Sequence, residues 1–215
     1  MTKGENTRRK IVSTAIRLAA RHGFGETSFQ MIADELGLSQ SAVMYHFVSK
    51  NDLVEELIKT IIAHNHETVA ALMDAEDDAG RRLLKHCLGN VIWALNCRKD
   101  EAQILILLYY FSCREKKFSE LFERMMMGGR ERLVEHLLAG RREGLFIFRG
   151  EPAAVAAALQ DNLFGAMLYA TSAEKAPSEA GLENKMKLLV SSFTGWLDNR
   201  PGSALSRGKR SGFKN

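Results

Sequence analysis

Between Thr27 and Leu53 the chain alternates two short runs of helical apolar spacing with the residues that start and stop helices. Thr27 or Ser28 can cap a helix through Leu36, on which Phe29, Ile32, Ala33 and Leu36 share one face. Gly37 breaks it, and Ser39 can cap the next helix, Gln40 to about Phe47. The spacing is that of a helix-turn-helix: glycine at 37 allows the tight reversal, and Ala33 lets the two helices approach closely. Upstream, Asn6 or Thr7 can cap a first helix that runs to about His22, with Gly23 as its stop. Ile11, Ala15, Leu18 and Ala19 line one side of that helix, and basic residues occupy the other. The first 49 residues therefore read as a three-helix domain.

The rest of the chain reads as helical too, since only three prolines occur and strand-like alternation of Val, Ile and Thr is missing. A long helix is expected from Lys50 to about Asp74, then one from Asp78 through Leu95 to Cys97. The run from Ala102 to Cys113 is apolar all round, which predicts a place at the centre of a second domain. A helix through Phe118 and Leu138 reaches Gly144, with a bend expected at Gly128-Gly129. Pro152 opens an alanine-rich helix to about Thr171, and a last helix spans Leu182 to Leu197. The expected fold class is all-α: residues 1–49 a helix-turn-helix domain, 50–199 a larger helical domain, and 200–215 a basic, disordered tail.

Charge is distributed unevenly within a net +4. Lys3, Arg8, Arg9, Lys10, Arg17, Arg21 and Lys50 outnumber the acids of the first fifty residues, and the tail carries Arg200, Arg207, Lys209, Arg210 and Lys214 with no acid. The middle is acidic, a pattern suited to a protein that meets phosphate at one end. Cys87, Cys97 and Cys113 lack metal-ligand spacing and read as buried small apolar residues. His64 and His66, two apart, point to different faces of a helix, so no metal site is expected. No nucleophile-base-orienter set and no glycine-rich phosphate loop is recognisable, so no catalytic residue and no cofactor is assigned. No apolar run is long enough to span a membrane and no signal peptide is apparent, making a cytoplasmic location the expectation.

The helix beginning at Gln40 has the chemistry to read DNA. Ser39 exposes backbone N–H groups, and Gln40, Ser41 and Ala42 occupy the turn that enters the groove, where an amide can read adenine and a methyl can meet thymine. Tyr45, His46 and Lys50 follow on the side where the DNA backbone would run. Here the chain closely resembles the TetR family of transcriptional regulators. The matching residues are His22-Gly23-Phe24, Thr27, Ile32-Ala33, Leu36-Gly37-Leu38-Ser39, Tyr45-His46-Phe47 and Ser49-Lys50-Asn51-Asp52-Leu53. Two positions depart from the family pattern: Val48 stands where many members have proline, and Met44 where many have an aromatic. The DNA-contacting set that follows is Thr27, Ser28, Ser39, Gln40, Ser41, Ala42, Tyr45, His46 and Lys50, with Met44 left out and Phe47 assigned to the core.

The resemblance further implies a homodimer on double-stranded DNA with a palindromic operator, and a small-molecule effector bound by the second domain. Small residues between Ala153 and Tyr169, and the stripe Leu182, Met186, Leu189, Phe193 and Leu197, suit a helical dimer face. Trp93, Asn96, Gln103, Tyr109, Tyr110, Phe111, Phe118, Phe122, Met125, Phe164 and Met167 are the candidates to line an effector pocket, whose scarcity of charge leans towards a hydrophobic ligand. The functional expectation is a repressor released from DNA by its effector. The alternative is a helical small-molecule binding protein or enzyme with no DNA role.

Overall fold

The computed structural model describes residues 2–97, 99–172, 175 and 177–199, with the side chains at 96, 97 and 99 outside that description. The expected disordered tail, 200–215, lies outside the described residues. Among the described residues the chain is helical throughout, in the order α1 (Lys3–Glu26), α2 (Phe29–Leu36), α3 (Gln40–His46), α4 (Lys50–Ala70), α5 (Ala79–Ile92), a π-helical turn (Trp93–Cys97), α6 (Lys99–Ser112), α7 (Lys116–Arg142), α8 (Pro152–Ser172) and α9 (Glu179–Thr194).

Several boundaries differ from expectation for local reasons. α1 starts at Lys3 because Thr2 and Glu5 form a reciprocal capping box: the Thr2 hydroxyl accepts from Glu5 N, and the Glu5 carboxylate from Thr2 N, at 2.7 Å. The Thr7 hydroxyl instead donates to Lys3 O. α4 ends at Ala70 rather than Asp74, since the chain there turns about Asp77. The buried Asp77 carboxylate accepts from Asp74 N at 2.9 Å and pairs with Lys85 Nζ at 2.6 Å. α7 runs unbroken through Gly128 and Gly129, where Gln160 Nε2 donates to Met126 O at 2.8 Å.

The described residues form two compact units, one of residues 2–64 with 100–122 and the other drawn from 65–99 with 123–199. In the first unit Ile11, Ala15, Ile32, Val43, Phe47, Leu57, Ile58 and Ile61 are almost fully buried. Phe24 packs against Phe111 and Phe118 at centroid separations of 5.9 and 6.0 Å, which brings α6 and the start of α7 into this unit. The apolar run expected at the centre of the second domain therefore belongs to the first unit, and it leaves Tyr109 and Tyr110 about half exposed. His64 Nδ1 meets Glu101 Oε1 at 2.8 Å inside the same unit.

The second unit is built on α5, α8 and α9, with Leu83, Leu84, Leu88, Leu137, Leu159, Met186 and Val190 at its centre. The proposed dimer stripe on α9 is corrected here. Leu182 and Met186 are buried in this core, Leu189 and Phe193 are half-buried, and Leu197 lies beyond the helix, which Gly195 terminates in the left-handed conformation. Cys87 is fully buried, and burial pushes its thiol up to about 12, as suits an inert core residue. Cys113 was expected inside and is exposed. Among the described residues no helix is long and apolar enough to cross a membrane, and no cluster of His, Cys, Asp or Glu could hold a metal ion.

Candidate nucleic-acid interface

α2 and α3 are short helices made definite by their ends. Ser28 caps α2 by accepting from Met31 N at 3.2 Å. Gly37 ends it at φ 64, where a Cβ is disfavoured, and Leu38 N donates back to Ala33 O at 2.9 Å. Ser39 caps α3 by accepting from Ala42 N at 3.2 Å, and its hydroxyl lies 2.9 Å from that of Ser41. The seven residues of α3 are too few to hold a helix by themselves, so packing must do it. Val43 and Phe47, both essentially unexposed, fix the inner face.

Arg8 ties that inner face to the rest of the unit. Its guanidinium donates to His46 O at 2.9 Å, pairs with Glu56 at 3.0 Å and stacks on the Phe47 ring at 4.4 Å. A single side chain from α1 thus holds the C-terminal end of α3 and the second turn of α4. Sequence reasoning counted Arg8 only as part of a basic face; its contact partners are distant in sequence and left no local signal.

The outer face of α3 presents Gln40, Ser41, Met44 and Tyr45 to solvent, followed by Val48. Tyr45 and Val48 are each 86% exposed, and Met44 47%. Met44 and Val48 are thus exposed apolar residues beside Gln40, Ser41 and Tyr45, although they were left out of the expected set. Ala42 is half-buried at the edge of the face. His46 is half-buried with its ring edge-on to Tyr45, centroids 5.4 Å apart.

Two residues of the expected set are engaged within the protein. Thr27 is 5% exposed and its hydroxyl donates to Gly23 O at 2.9 Å, which makes it a cap of α1 that faces inward. Lys50 is exposed, yet its ammonium donates to Gly25 O at 2.7 Å. Partial burial lowers its pKa, opposed by Glu26 and assisted by Lys117. Lys50 thereby fixes the start of α4 to the C-terminal end of α1.

The expected effector-lining residues are divided between the two units. Gln103, Tyr109, Tyr110, Phe111, Phe118 and Phe122 belong to the first unit, where Phe118 is core beneath Phe24. Trp93, Met125, Phe164 and Met167 belong to the second, and the Asn96 side chain lies outside the described residues.

Residues 11–57 match the family described as bacterial regulatory proteins, tetR family. The HTH-type transcriptional regulator YerO of Bacillus subtilis is 28% identical over 139 residues, covering 63% of this chain and 47% of that protein. The chain thus spans about half the length of that relative. The probable acrEF/envCD operon repressor of Escherichia coli K12 is 26% identical over 152 residues, 66% of this chain and 67% of its own. Among solved structures, a transcriptional regulator from Saccharomonospora viridis in complex with choline superposes with a TM-score of 0.73 at 22% identity, over 88% of this chain and 98% of that one. A TetR-family regulator from Agrobacterium tumefaciens gives 0.72 at 20%, over 89% and 100%. The ketosteroid transcriptional regulator of Mycobacterium tuberculosis gives 0.59 at 18%, over 87% and 92%. The capped helix-turn-helix, its exposed outer face and these likenesses agree: residues 11–57 carry the N-terminal domain of the tetR family of bacterial regulatory proteins, and the fold of the chain is that of solved TetR-family regulators.

Proposed function

We propose that the protein is a ligand-responsive repressor that binds a palindromic operator as a homodimer and leaves it when a small, largely apolar effector binds the second unit. The observation that carries the DNA role is the outer face of α3: Gln40, Ser41 and Tyr45 are exposed on a helix whose caps, buried residues and Arg8 contact fix its orientation. Exposed polar groups on a fixed short helix suit readout of base edges, with Tyr45, His46 and Ser28 towards the phosphates.

The dimer reading draws support from the surface of α8 and α9. A groove of about 760 Å³ there is lined by Asn162, Gly165, Tyr169, Leu188, Leu189 and Phe193, with Tyr169 69% and Leu188 68% exposed. Gly165 offers the low relief that close helix pairing needs. The solved relative in complex with choline and the one named a ketosteroid transcriptional regulator share this fold, so the effector class must come from this chain's own residues.

Gel shifts with the DNA upstream of the protein's own gene test the DNA role. Wild-type protein should prefer that DNA over unrelated duplex at moderate salt. Gln40→Ala should weaken the specific complex by about tenfold, a cost of ~1 to 3 kcal/mol for a lost base contact, and leave non-specific binding unchanged. Wild-type protein with no preference for any upstream sequence would refute the repressor reading.

A further inference from the structure

Three imidazoles and a guanidinium gather in the second unit without a part in the DNA-binding face. His66 lies near the end of α4, His86 on α5, and Arg132 and His136 one turn apart on α7. His136 Nε2 is 3.2 Å from His86 Nδ1, and the two rings meet edge to face at 5.0 Å. Asn65 donates to Asn90 Oδ1 at 3.2 Å, and Asn90 donates to His86 O at 2.9 Å, which joins α4 to α5 beside the group. Burial is the first cause lowering all three imidazoles. Arg132 follows at His66, and His136 and then Arg132 at His86, which is brought down to about 3. At His136, Arg82 lowers, Glu135 opposes and Arg132 lowers further.

What the group lacks is an acid. The carboxylates that act on Arg132 are Glu135 and Glu131, both exposed on its own helix, and burial still lowers its pKa. No ion pair to Arg132 occurs among the described residues. His66 Nε2 is buried without a hydrogen-bond partner. Trp93 Nε1 is likewise unpartnered on a fully buried residue that follows His86 and Asn90 along the same helical face. Buried polar atoms in folded proteins are nearly always satisfied, and an indole N–H can only donate. Trp93 also opens the π-helical turn Trp93–Cys97, a departure from regular geometry that recurs at functional sites.

We propose that Arg132, His66 and His136, with Trp93 as a further donor, form the head-group site of the effector pocket, and that the effector is an organic anion: a carboxylate on an apolar skeleton. The inference rests on the ligand-responsive reading and narrows its effector class. A guanidinium meets a carboxylate with two parallel N–H donors, and the neutral imidazoles add hydrogen bonds without a competing charge. A cationic ligand would face Arg132, whose carboxylate neighbours Glu131 and Glu135 lie exposed on its own helix. His66 gives the site a direct line to the DNA-binding face, because α4 begins at Lys50, directly after α3 and its connecting turn. An anion that binds better when His66 is displaced shifts that helix by its difference in affinity.

The test uses the full chain with hexanoate, decanoate and phenylacetate, their matched alcohols, and alkyltrimethylammonium salts of the same lengths. At least one carboxylate should raise the melting temperature by several degrees and weaken the complex with upstream DNA by about tenfold or more, while its alcohol does neither. Arg132→Gln should abolish both responses with DNA binding unchanged in the absence of ligand, and Arg132→Lys should retain part of them. Circular dichroism checks that the variants fold; if Arg132→Gln does not, Arg132→Lys and His66→Gln carry the comparison. Equal action of alcohol and carboxylate, action of the ammonium salts alone, no response to any carboxylate, or an unchanged response in Arg132→Gln would each overturn the inference. Loss of the repressor reading is separately visible as absence of sequence preference in unliganded protein.

Discussion

Gly80 has the Trp196 indole where a side chain would be: a Cβ built there lies 2.1 Å from Cε2 of the ring. The neighbours are core on both sides, so relief must come from moving a buried aromatic. Gly80→Ala should therefore destabilise the protein by about 1 to 3 kcal/mol, read as a lower urea midpoint with an unchanged slope. His86 carries a different kind of prediction. Burial, then His136, Arg132 and His66, lower its pKa to about 3, while the unfolded chain titrates near the ordinary value of 6.5. Below that value the unfolded chain takes up a proton that the folded chain refuses. Stability should fall as the pH drops from about 6.5 towards 3, with a slope of up to ~1.4 kcal/mol per pH unit from this one group, and it should be flat above. His66 and His136 are shifted in the same direction and add to the slope. Urea titrations of wild type and His86→Gln across that range isolate the contribution, since carboxylate protonation is common to both; parallel curves would show that His86 is not buried as a neutral base.

At the scale of the helix, α3 depends on the Ser39 cap and on contacts that come from far away in sequence. Ser39→Ala removes the acceptor for Ala42 N and the hydroxyl beside Ser41, and should cost roughly 0.5 to 2 kcal/mol. Faster amide exchange confined to α3, with α5 and α8 unchanged, is the outcome that checks the cap. α1 to α3 were legible in the sequence because their signals are local: a serine, threonine or glycine at most of their ends and an apolar face between. Even so, the capping box at Thr2 and Glu5 was missed, since an apolar face says where a helix packs and little about where it begins. α6 shows the limit of composition. An all-apolar run says that a helix is buried, not which neighbour buries it, and Phe24 against Phe111 and Phe118 decided the matter. The polar group of His66, His86, Arg132 and His136 was invisible for the same reason, because its members come from three helices and no pattern of spacing joins them.

Over the whole molecule, the first unit carries the helix-turn-helix and the second the core of α5, α8 and α9, while α4 and α7 each contribute residues to both. The expected division at residue 49 falls in the turn between α3 and α4, whereas packing assigns α4 as far as His64, together with α6, to the first unit. On the proposal that the first unit reads DNA and the second senses an effector, α4, with Lys50 at one end and His66 near the other, is the element that carries residues of both. The central claim is that α3 reads a two-fold symmetric site. Nuclease footprinting of the protein on the DNA upstream of its own gene tests it most directly. Two protected half-sites with inverted symmetry are expected, their centres ~34 to 36 Å or a multiple of that apart, with loss of both in Gln40→Ala. Uniform protection along the DNA, or a single protected site that survives Gln40→Ala, would contradict it.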